Sequence, residues 1–244
     1  MHNEVKQFDT ISDKYASFVD GDPIRNYLHY PTVVELLGDI KGKYLLDVGC
    51  GDGLFDRKLT KEFGAKVWGY DKASDLIALA KNDESKYPLG ITYSVDDPLT
   101  FHTGELFDEC LSVMVLSYAP DANYLINFFD STYKVLKEGG RFLSVIFNPS
   151  FKAFDCVIAN RIFKIKDGKV EVNFLKPKTN EVKFTALLTQ FSIEEYTDAA
   201  RAAGFKKITW EKLYPTKEGV AILGEDFWRL CEQEQPYVVL ITEK

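Results

Sequence analysis

The chain has 244 residues, with 30 basic and 37 acidic side chains, a formal net charge of −7 and 45% hydrophobic residues. The acidic balance and the absence of a long lysine or arginine run argue against a nucleic-acid partner, and no segment has the length and apolar character of a membrane span. The four cysteines have no zinc-site spacing, so no metal is expected. We therefore expect a reduced, cytoplasmic protein that acts on a small molecule without a membrane partner.

The first half of the chain alternates short apolar runs with helical patterns. Strands are predicted at residues 43–48, 66–71, 90–95, 110–116 and 139–147. Helices are predicted at residues 55–63, 74–82 and 123–136, with Ser74 as an N-cap. Such alternation predicts a mostly parallel sheet with helices on both faces.

The pattern changes after residue 148. Residues 161–175 alternate around Asp167-Gly168 and predict a β-hairpin, to which residues 181–188 could add a strand. Ser192 and Glu195 have the spacing of a capping box, and Gly204 ends the helix that they begin. A short helix at 224–234 and strands at 206–213 and 236–244 complete the chain.

These elements predict one α/β domain with a Rossmann-like, doubly wound, mostly parallel seven-stranded sheet and an antiparallel insertion after the fifth strand. We divide it into an N-terminal helical lid (1–40), a ligand-binding core (41–147), a substrate-side insertion (148–190) and a C-terminal part of the sheet (191–244). The lid is expected to be mobile and to close over the site.

A glycine-rich turn follows the first predicted strand in "YLLDVGCGDGLF", residues 44–55. Gly49, Gly51 and Gly53 allow close approach of a ligand between a strand and a helix. The next strand ends in Asp71, about 20 residues beyond the turn, where a carboxylate reads the hydroxyls of a ribose. The alternative is that Asp71 only caps the next turn.

The spacing of the glycines separates two classes of nucleoside ligand. Dinucleotide sites use G-x-G-x-x-G because a pyrophosphate lies at the helix N-terminus, whereas position 54 here is Leu54. Asp47, just before the turn, would repel a pyrophosphate but suits a cationic ligand such as S-adenosylmethionine.

The stretch "LLDVGCGDG" resembles the first motif of the class I S-adenosylmethionine-dependent methyltransferases. The resemblance covers about residues 40–145 closely and 190–244 more loosely. It implies S-adenosylmethionine as cofactor, with the glycines near its methionine part, Asp47 at its ammonium, Asp71 at its ribose and Asp97 or Asp96 at its adenine. The cofactor-binding residues that the resemblance implies are Tyr15, Asp47, Gly49, Cys50, Gly51, Asp71, Lys72, Asp96, Asp97 and Val113.

The N-terminal stretch "FDTISDKYASFV" resembles the entrance helix of small-molecule methyltransferases, which would place Tyr15 near the sulfonium. The alternative is that Phe8, Ile11 and Tyr15 form a core-facing stripe. The tail, residues 217–244, is similar to the toxoflavin-type N-methyltransferases, which methylate nitrogen heterocycles.

Methyl transfer from a sulfonium is an in-line displacement, so the protein mainly positions the reactants and supplies a base only for a protonated nucleophile. The candidate catalytic residues are His29, Tyr15 and Tyr118, with a purely structural role for His29 left open. The candidate substrate-binding residues, in the N-terminal helices and after the fifth strand, are Tyr27, Tyr30, Asn148 and Phe151. Their aromatic character favours a flat, ring-containing substrate.

Two other functions remain open from the sequence. One is a nicotinamide-dependent oxidoreductase of Rossmann type, which lacks its third glycine here. The other is a non-catalytic, cofactor-binding partner subunit. The choice between nitrogen and oxygen as acceptor, and the oligomeric state, are not encoded in any motif that we recognise.

Overall fold

The computed structural model describes residues 21–167, 169–177 and 179–244. Within these ranges, seven strands form a central sheet in the order β10-β11-β5-β4-β1-β2-β3, and four form a second sheet in the order β6-β7-β8-β9. The strands are β1 (Tyr44–Val48), β2 (Lys66–Asp71), β3 (Thr92–Val95), β4 (Phe107–Val113), β5 (Leu136–Phe147), β6 (Val157–Ile158), β7 (Arg161–Lys166), β8 (Lys169–Leu175), β9 (Val182–Thr189), β10 (Lys207–Lys212) and β11 (Tyr237–Glu243).

The helices lie between these strands. They are α1 (Tyr30–Leu37), which continues a π-helical turn (Arg25–His29), α2 (Leu54–Phe63), α3 (Ser74–Lys86), α4 (Ala122–Val135), α5 (Ile193–Ala203), α6 (Lys217–Leu223) and α7 (Glu225–Glu234). A short 3₁₀ turn (Leu116–Tyr118) follows β4.

The central sheet confirms the predicted Rossmann-like fold. Strands β1 to β5 pair in parallel, and β11 is antiparallel to both β5 and β10. Strands β1, β4 and β5 are buried along most of their length because helices cover both faces. The two hydrophobic clusters of the core correspond to these two faces.

Local signals of the sequence account for several element ends. The side chain of Ser192 accepts a hydrogen bond from the Glu195 N–H, and that of Glu195 accepts one from the Ser192 N–H, which is the predicted capping box. Gly204 ends α5 in a left-handed conformation. The hairpin around residue 167 is confirmed by the antiparallel pairing of β7 with β8, and β9 adds the expected third strand.

Two expectations need correction, and two elements were missed. Strand β4 begins at Phe107 and ends at Val113, because Met114 has a positive φ of 61° and leaves the sheet. Ser74 is the first residue of α3 rather than its cap, and Ala73 occupies the N-cap without a side-chain hydrogen bond. Helix α6 and the two-residue strand β6 were not predicted, because neither has a clear hydrophobic period.

The described part of the N-terminal segment packs against the sheet. Ile24, Leu28 and Val33 are buried in the core. Arg141 of β5 donates hydrogen bonds to the carbonyls of Leu36 and Leu37 and so holds the end of α1. Whether this segment moves during a reaction stays a prediction.

In the part of the chain that the structure describes, no helix combines the length and apolar character needed to cross a membrane. The described histidine, cysteine and acidic side chains likewise include no group that could hold a metal ion.

Candidate functional site

The glycine turn lies at the carboxyl edge of the central sheet, between β1 and α2. The N–H groups of Gly49 and Cys50 donate to the Tyr70 carbonyl at 2.8 and 3.0 Å, which ties the turn to β2. Gly49 has a φ of 75°, and a Cβ there would lie 2.5 Å from Cγ2 of Val115. Only glycine fits both the backbone conformation and this contact with the chain after β4.

Asp71 ends β2 and faces the turn, as predicted for a group that reads a ribose. Its Oδ2 accepts from the Gly51 N–H at 3.0 Å, and its Oδ1 accepts from the Ala73 N–H at 2.9 Å. Burial raises the pKa of Asp71, and these two N–H groups oppose the shift. Each carboxylate oxygen keeps a lone pair for a further donor.

The acids after β3 lie beside Asp71 and form the far side of this edge. The Asp96 N–H donates to the Asp71 carbonyl at 3.1 Å. Asp97 accepts from the Leu99 N–H at 2.8 Å and forms an ion pair with Lys72 at 2.9 Å. Asp71, Lys72, Asp96 and Asp97 are therefore brought together, whereas nothing in this geometry distinguishes Asp96 from Asp97 as an adenine acceptor.

Two carboxyl groups are buried beneath the turn. Asp47 is 3% exposed and Asp56 is 0% exposed. Burial raises the pKa of Asp47 to about 7, while a hydrogen bond from Asp56 and the charge of Arg25 act in the opposite direction. Asp56 is a site residue that the sequence analysis missed; its only signal was an acid in the first turn of α2.

The end of β4 forms the wall opposite Asp71. Val113 is the last residue of β4, and the Met114 N–H donates to the Val145 carbonyl at 2.8 Å. Tyr118 lies in the following 3₁₀ turn, partly buried against the core. Val113 and Tyr118 thus lie at the same edge as the glycine turn, and their contacts with ligands stay predictions.

His29 lies at the β5–β11 side of the edge, away from Asp71. It is 2% exposed, and its ring packs edge-on against Tyr237, with ring centroids 4.5 Å apart. Within the described residues, neither ring nitrogen has a hydrogen-bond partner. Burial, and then the charges of Arg161 and Arg25, lower the pKa of His29 well below its usual value. The ring is neutral at neutral pH, so it can accept a proton but binds it weakly.

The predicted substrate residues have mainly packing contacts. Tyr30 stacks on Phe55 of α2 with centroids 4.2 Å apart, and the Tyr27 carbonyl accepts from the Thr216 N–H at 2.8 Å. Their contact with a substrate stays a prediction.

The other two predicted substrate residues follow β5. The Asn148 amide donates to the Gln235 carbonyl at 2.8 Å. Phe151 is 2% exposed and packs against Phe147 and Phe163 at 5.3 and 5.1 Å. An aromatic cluster, defined as Phe147, Phe151, Phe163 and Tyr237, is thus buried at this side of the edge. Tyr15 lies outside the described residues.

Arg25 is a second residue that the sequence analysis missed. Its Nη1 donates to the Tyr30 hydroxyl at 3.5 Å. Its charge lowers the pKa of both Asp47 and His29. Arg25 belongs to no motif and to no periodic pattern, so the sequence alone gave no indication of its place in the site.

The buried imidazole predicts a pH dependence of stability. A histidine whose pKa is lowered in the folded state stabilises the fold above its unfolded pKa of about 6.5, and that stability is lost as the pH falls below this value, by about 1.4 kcal/mol per unit. His29→Phe keeps a ring against Tyr237 without the titrating nitrogen. Urea unfolding between pH 6.5 and 5 should show a smaller loss of unfolding free energy for the variant; equal slopes in both proteins would contradict this.

Comparison with known proteins agrees with this geometry. Residues 45–140 match the family model described as a methyltransferase domain. A ubiquinone biosynthesis O-methyltransferase of Coxiella burnetii is 34% identical over 116 residues, which are 47% of this chain and 48% of that protein. Phosphoethanolamine N-methyltransferase 2 of Caenorhabditis elegans is 26% identical over 87% of this chain and 43% of its own length. The chain thus spans about half the length of these curated relatives.

Solved structures share the fold at low sequence identity. An S-adenosylmethionine-dependent methyltransferase from Mesorhizobium loti has a TM-score of 0.65 and 20% identity, covering 93% of this chain and all of that one. The [4+2]-cyclase SpnF has a TM-score of 0.65 at 16% identity, covering 98% of this chain and 94% of that one.

The central sheet has the Rossmann-like fold of the solved methyltransferase structures, and the glycine turn lies at its carboxyl edge. Residues 45–140 match the methyltransferase domain family, and for this part of the chain the predicted resemblance to the S-adenosylmethionine-dependent methyltransferases is confirmed. The resemblance to toxoflavin-type enzymes is not tested by these comparisons.

Proposed function

We propose that this chain transfers the methyl group of S-adenosylmethionine to a nitrogen or oxygen atom of a small, ring-containing molecule. The observation that carries the proposal is the Asp71 carboxylate, which ends β2 and is fixed against the glycine turn by the Gly51 N–H. The [4+2]-cyclase of the same fold shows that fold alone does not determine the reaction. The activity therefore rests on the site residues.

The residues at the edge fit this cofactor better than a dinucleotide. Four carboxyl groups surround the turn: those of Asp47, Asp52, Asp56 and Asp71. Such a surrounding repels a pyrophosphate, whereas a sulfonium and an ammonium are attracted. We assign the ribose to Asp71, the ammonium to Asp47 and the carboxylate of the methionine part to Arg25, whose charge acts on Asp47.

The reaction needs little from the protein beyond alignment. The sulfonium supplies an already activated methyl carbon. The glycine turn and the chain after β4 would hold the cofactor, and exclusion of water by the N-terminal segment would favour the displacement. His29 or Tyr118 would accept a proton from an acceptor that carries one. A tertiary ring nitrogen would need no base.

The aromatic cluster supports a flat substrate on the β5–β11 side. Phe147 and Tyr237 pair across β5 and β11 at the carboxyl edge, and Phe151 and Phe163 pack beside them. Flat rings pack favourably against such side chains. The chain's net charge of −7 supports a small-molecule partner rather than nucleic acid.

Calorimetry with S-adenosylhomocysteine tests the proposal. We expect a dissociation constant in the micromolar range, about −8 kcal/mol. NAD is the matched control and should give no heat at the same concentrations, because its pyrophosphate meets the acidic turn. Tight NAD binding without S-adenosylhomocysteine binding would favour the oxidoreductase function instead.

A further inference from the structure

Asp47 and Asp56 share one face of the sheet, as the strand register shows. Asp47 of β1 is the register partner of Gly69 of β2, so its side chain points to the same face as the missing side chain of Gly69. A Cβ at Gly69 would overlap Oδ2 of Asp56, and it would lie 2.9 Å from Sγ of Cys50. Gly69 therefore leaves the space into which α2 inserts the Asp56 carboxyl beside Asp47.

Among the described residues, no N–H or O–H group donates a hydrogen bond to the Asp56 carboxyl, the carboxyl of Asp47 apart. Both of its oxygens are buried without an N–H or O–H partner among the described residues, and the same holds for Oδ1 of Asp47. The groups within hydrogen-bonding reach of Asp56 are the carboxyl of Asp47 and the thiol of Cys50. Sγ of Cys50 also lies 3.8 Å from the Gly51 carbonyl oxygen, to which its single hydrogen can be donated instead. Two carboxyl groups in contact can be hydrogen-bonded only when one of them is protonated.

We propose that Asp56 is a positioning residue that keeps a proton and donates it to Asp47, so that Asp47 alone carries the negative charge that receives the cofactor's ammonium. This inference rests on the proposed function for its ligand, but the proton itself is a property of the free protein. The N-terminus of α2 stabilises the single negative charge of the pair. The helical turn that carries Asp56 is thereby coupled to the glycine turn that carries the ligand.

The surroundings agree with this distribution of charge. Burial, and then the nearby charges of Asp47 and Asp52, raise the pKa of Asp56 well above its usual value, so Asp56 holds the proton. The charge of Asp71 raises the pKa of Asp47, and the charge of Arg25 lowers it. On the remaining side, Tyr93 of β3 is neutral because burial and the acids raise the pKa of its hydroxyl.

The consequence is a pH-dependent affinity for a ligand that carries an ammonium group, as S-adenosylhomocysteine does. Asp47 with a pKa of about 7 is ionised above neutrality and protonated below it. From pH 8 to pH 5.5, the affinity of the wild type for S-adenosylhomocysteine should therefore fall about tenfold or more. Asp56 must stay protonated between pH 5.5 and pH 8, because otherwise the wild type would lose its affinity for S-adenosylhomocysteine at high pH as well.

Two variants whose side chains are similar in size to Asp56 show whether its hydrogen-bond donor or its charge matters for binding. Asp56→Asn keeps an N–H donor toward Asp47, so its affinity at pH 7.5 should stay within about threefold of the wild type, with the same pH midpoint. Asp56→Leu removes the donor, so the midpoint should move to higher pH and the affinity at pH 7.5 should fall about tenfold. Asp56→Ala replaces the leucine variant if that variant does not fold by circular dichroism.

Infrared difference spectroscopy of the free protein reads the proton directly. At pH 8, the wild type should show a protonated carboxyl band that Asp56→Asn lacks. Absence of that band, or equal loss of affinity in the asparagine and leucine variants, would overturn the inference. The same holds if Asp56→Leu binds as the wild type does. A protonated carboxyl band without any S-adenosylhomocysteine binding would support the shared proton but contradict the proposed function.

Discussion

Asp71→Ala is expected to weaken S-adenosylhomocysteine binding by about 1.5–3 kcal/mol, roughly 10- to 150-fold. The reason is that a carboxylate which accepts two ribose hydroxyls makes charge-assisted hydrogen bonds, and alanine leaves both hydroxyls without an acceptor. Calorimetry at constant pH measures the change. The Gly51 N–H also loses its partner, so the geometry of the turn relaxes as well.

Asp75→Ala is the matched control for this experiment. Asp75 is an exposed acid in the first turn of α3, four residues from Asp71. Asp75→Ala changes the net charge by the same amount as Asp71→Ala but removes an exposed side chain. The affinity of Asp75→Ala for S-adenosylhomocysteine should therefore equal that of the wild type. If Asp71→Ala bound as tightly as the control, while both keep a native circular dichroism spectrum, Asp71 would have no role in the site.

Asp22→Ala is expected to destabilise the fold by about 3–5 kcal/mol, the largest stability effect that we predict. Asp22 and Arg161 form an ion pair at 2.6 Å, with side chains only 2% and 4% exposed. Truncation removes a buried carboxylate from a buried guanidinium, which costs far more than the loss of a surface pair. Urea unfolding followed by circular dichroism gives the free energy of unfolding.

The control is an exposed pair on α4. Asp130 and Lys134 form an ion pair one helical turn apart, with both side chains exposed. Asp130→Ala should cost no more than about 0.5 kcal/mol. A loss at Asp22 as small as that at Asp130 would show that the N-terminal segment is not anchored through Arg161.

Much of the fold could be predicted because it depends on local signals. The apolar runs, the hairpin at residue 167 and the capping box of Ser192 and Glu195 are contained within short windows of sequence. The class of ligand followed from the spacing of the glycines and from the position of Asp71. Each of these features is determined by residues close together in the chain.

The residues that were missed depend on distant contacts. Asp22 and Arg161 are 139 positions apart, and no local pattern relates them. The Asp56 carboxyl of α2 occupies the space that Gly69 of β2 leaves open. Arg25 acts on the pKa of Asp47, which lies beyond the first helix in the sequence. The end of β4 was misplaced because the apolar run continues through Met114, where the backbone changes conformation.

Methyl transfer to a small molecule is tested most directly by mass spectrometry with S-adenosylmethionine that carries a trideuterated methyl group. A small-molecule extract is incubated with the wild type or with Asp71→Ala. The account predicts that at least one small molecule gains one labelled methyl group with the wild type, and far less of it with the variant. Binding of the cofactor without any labelled small molecule, or with the label only in protein or nucleic acid, would contradict it.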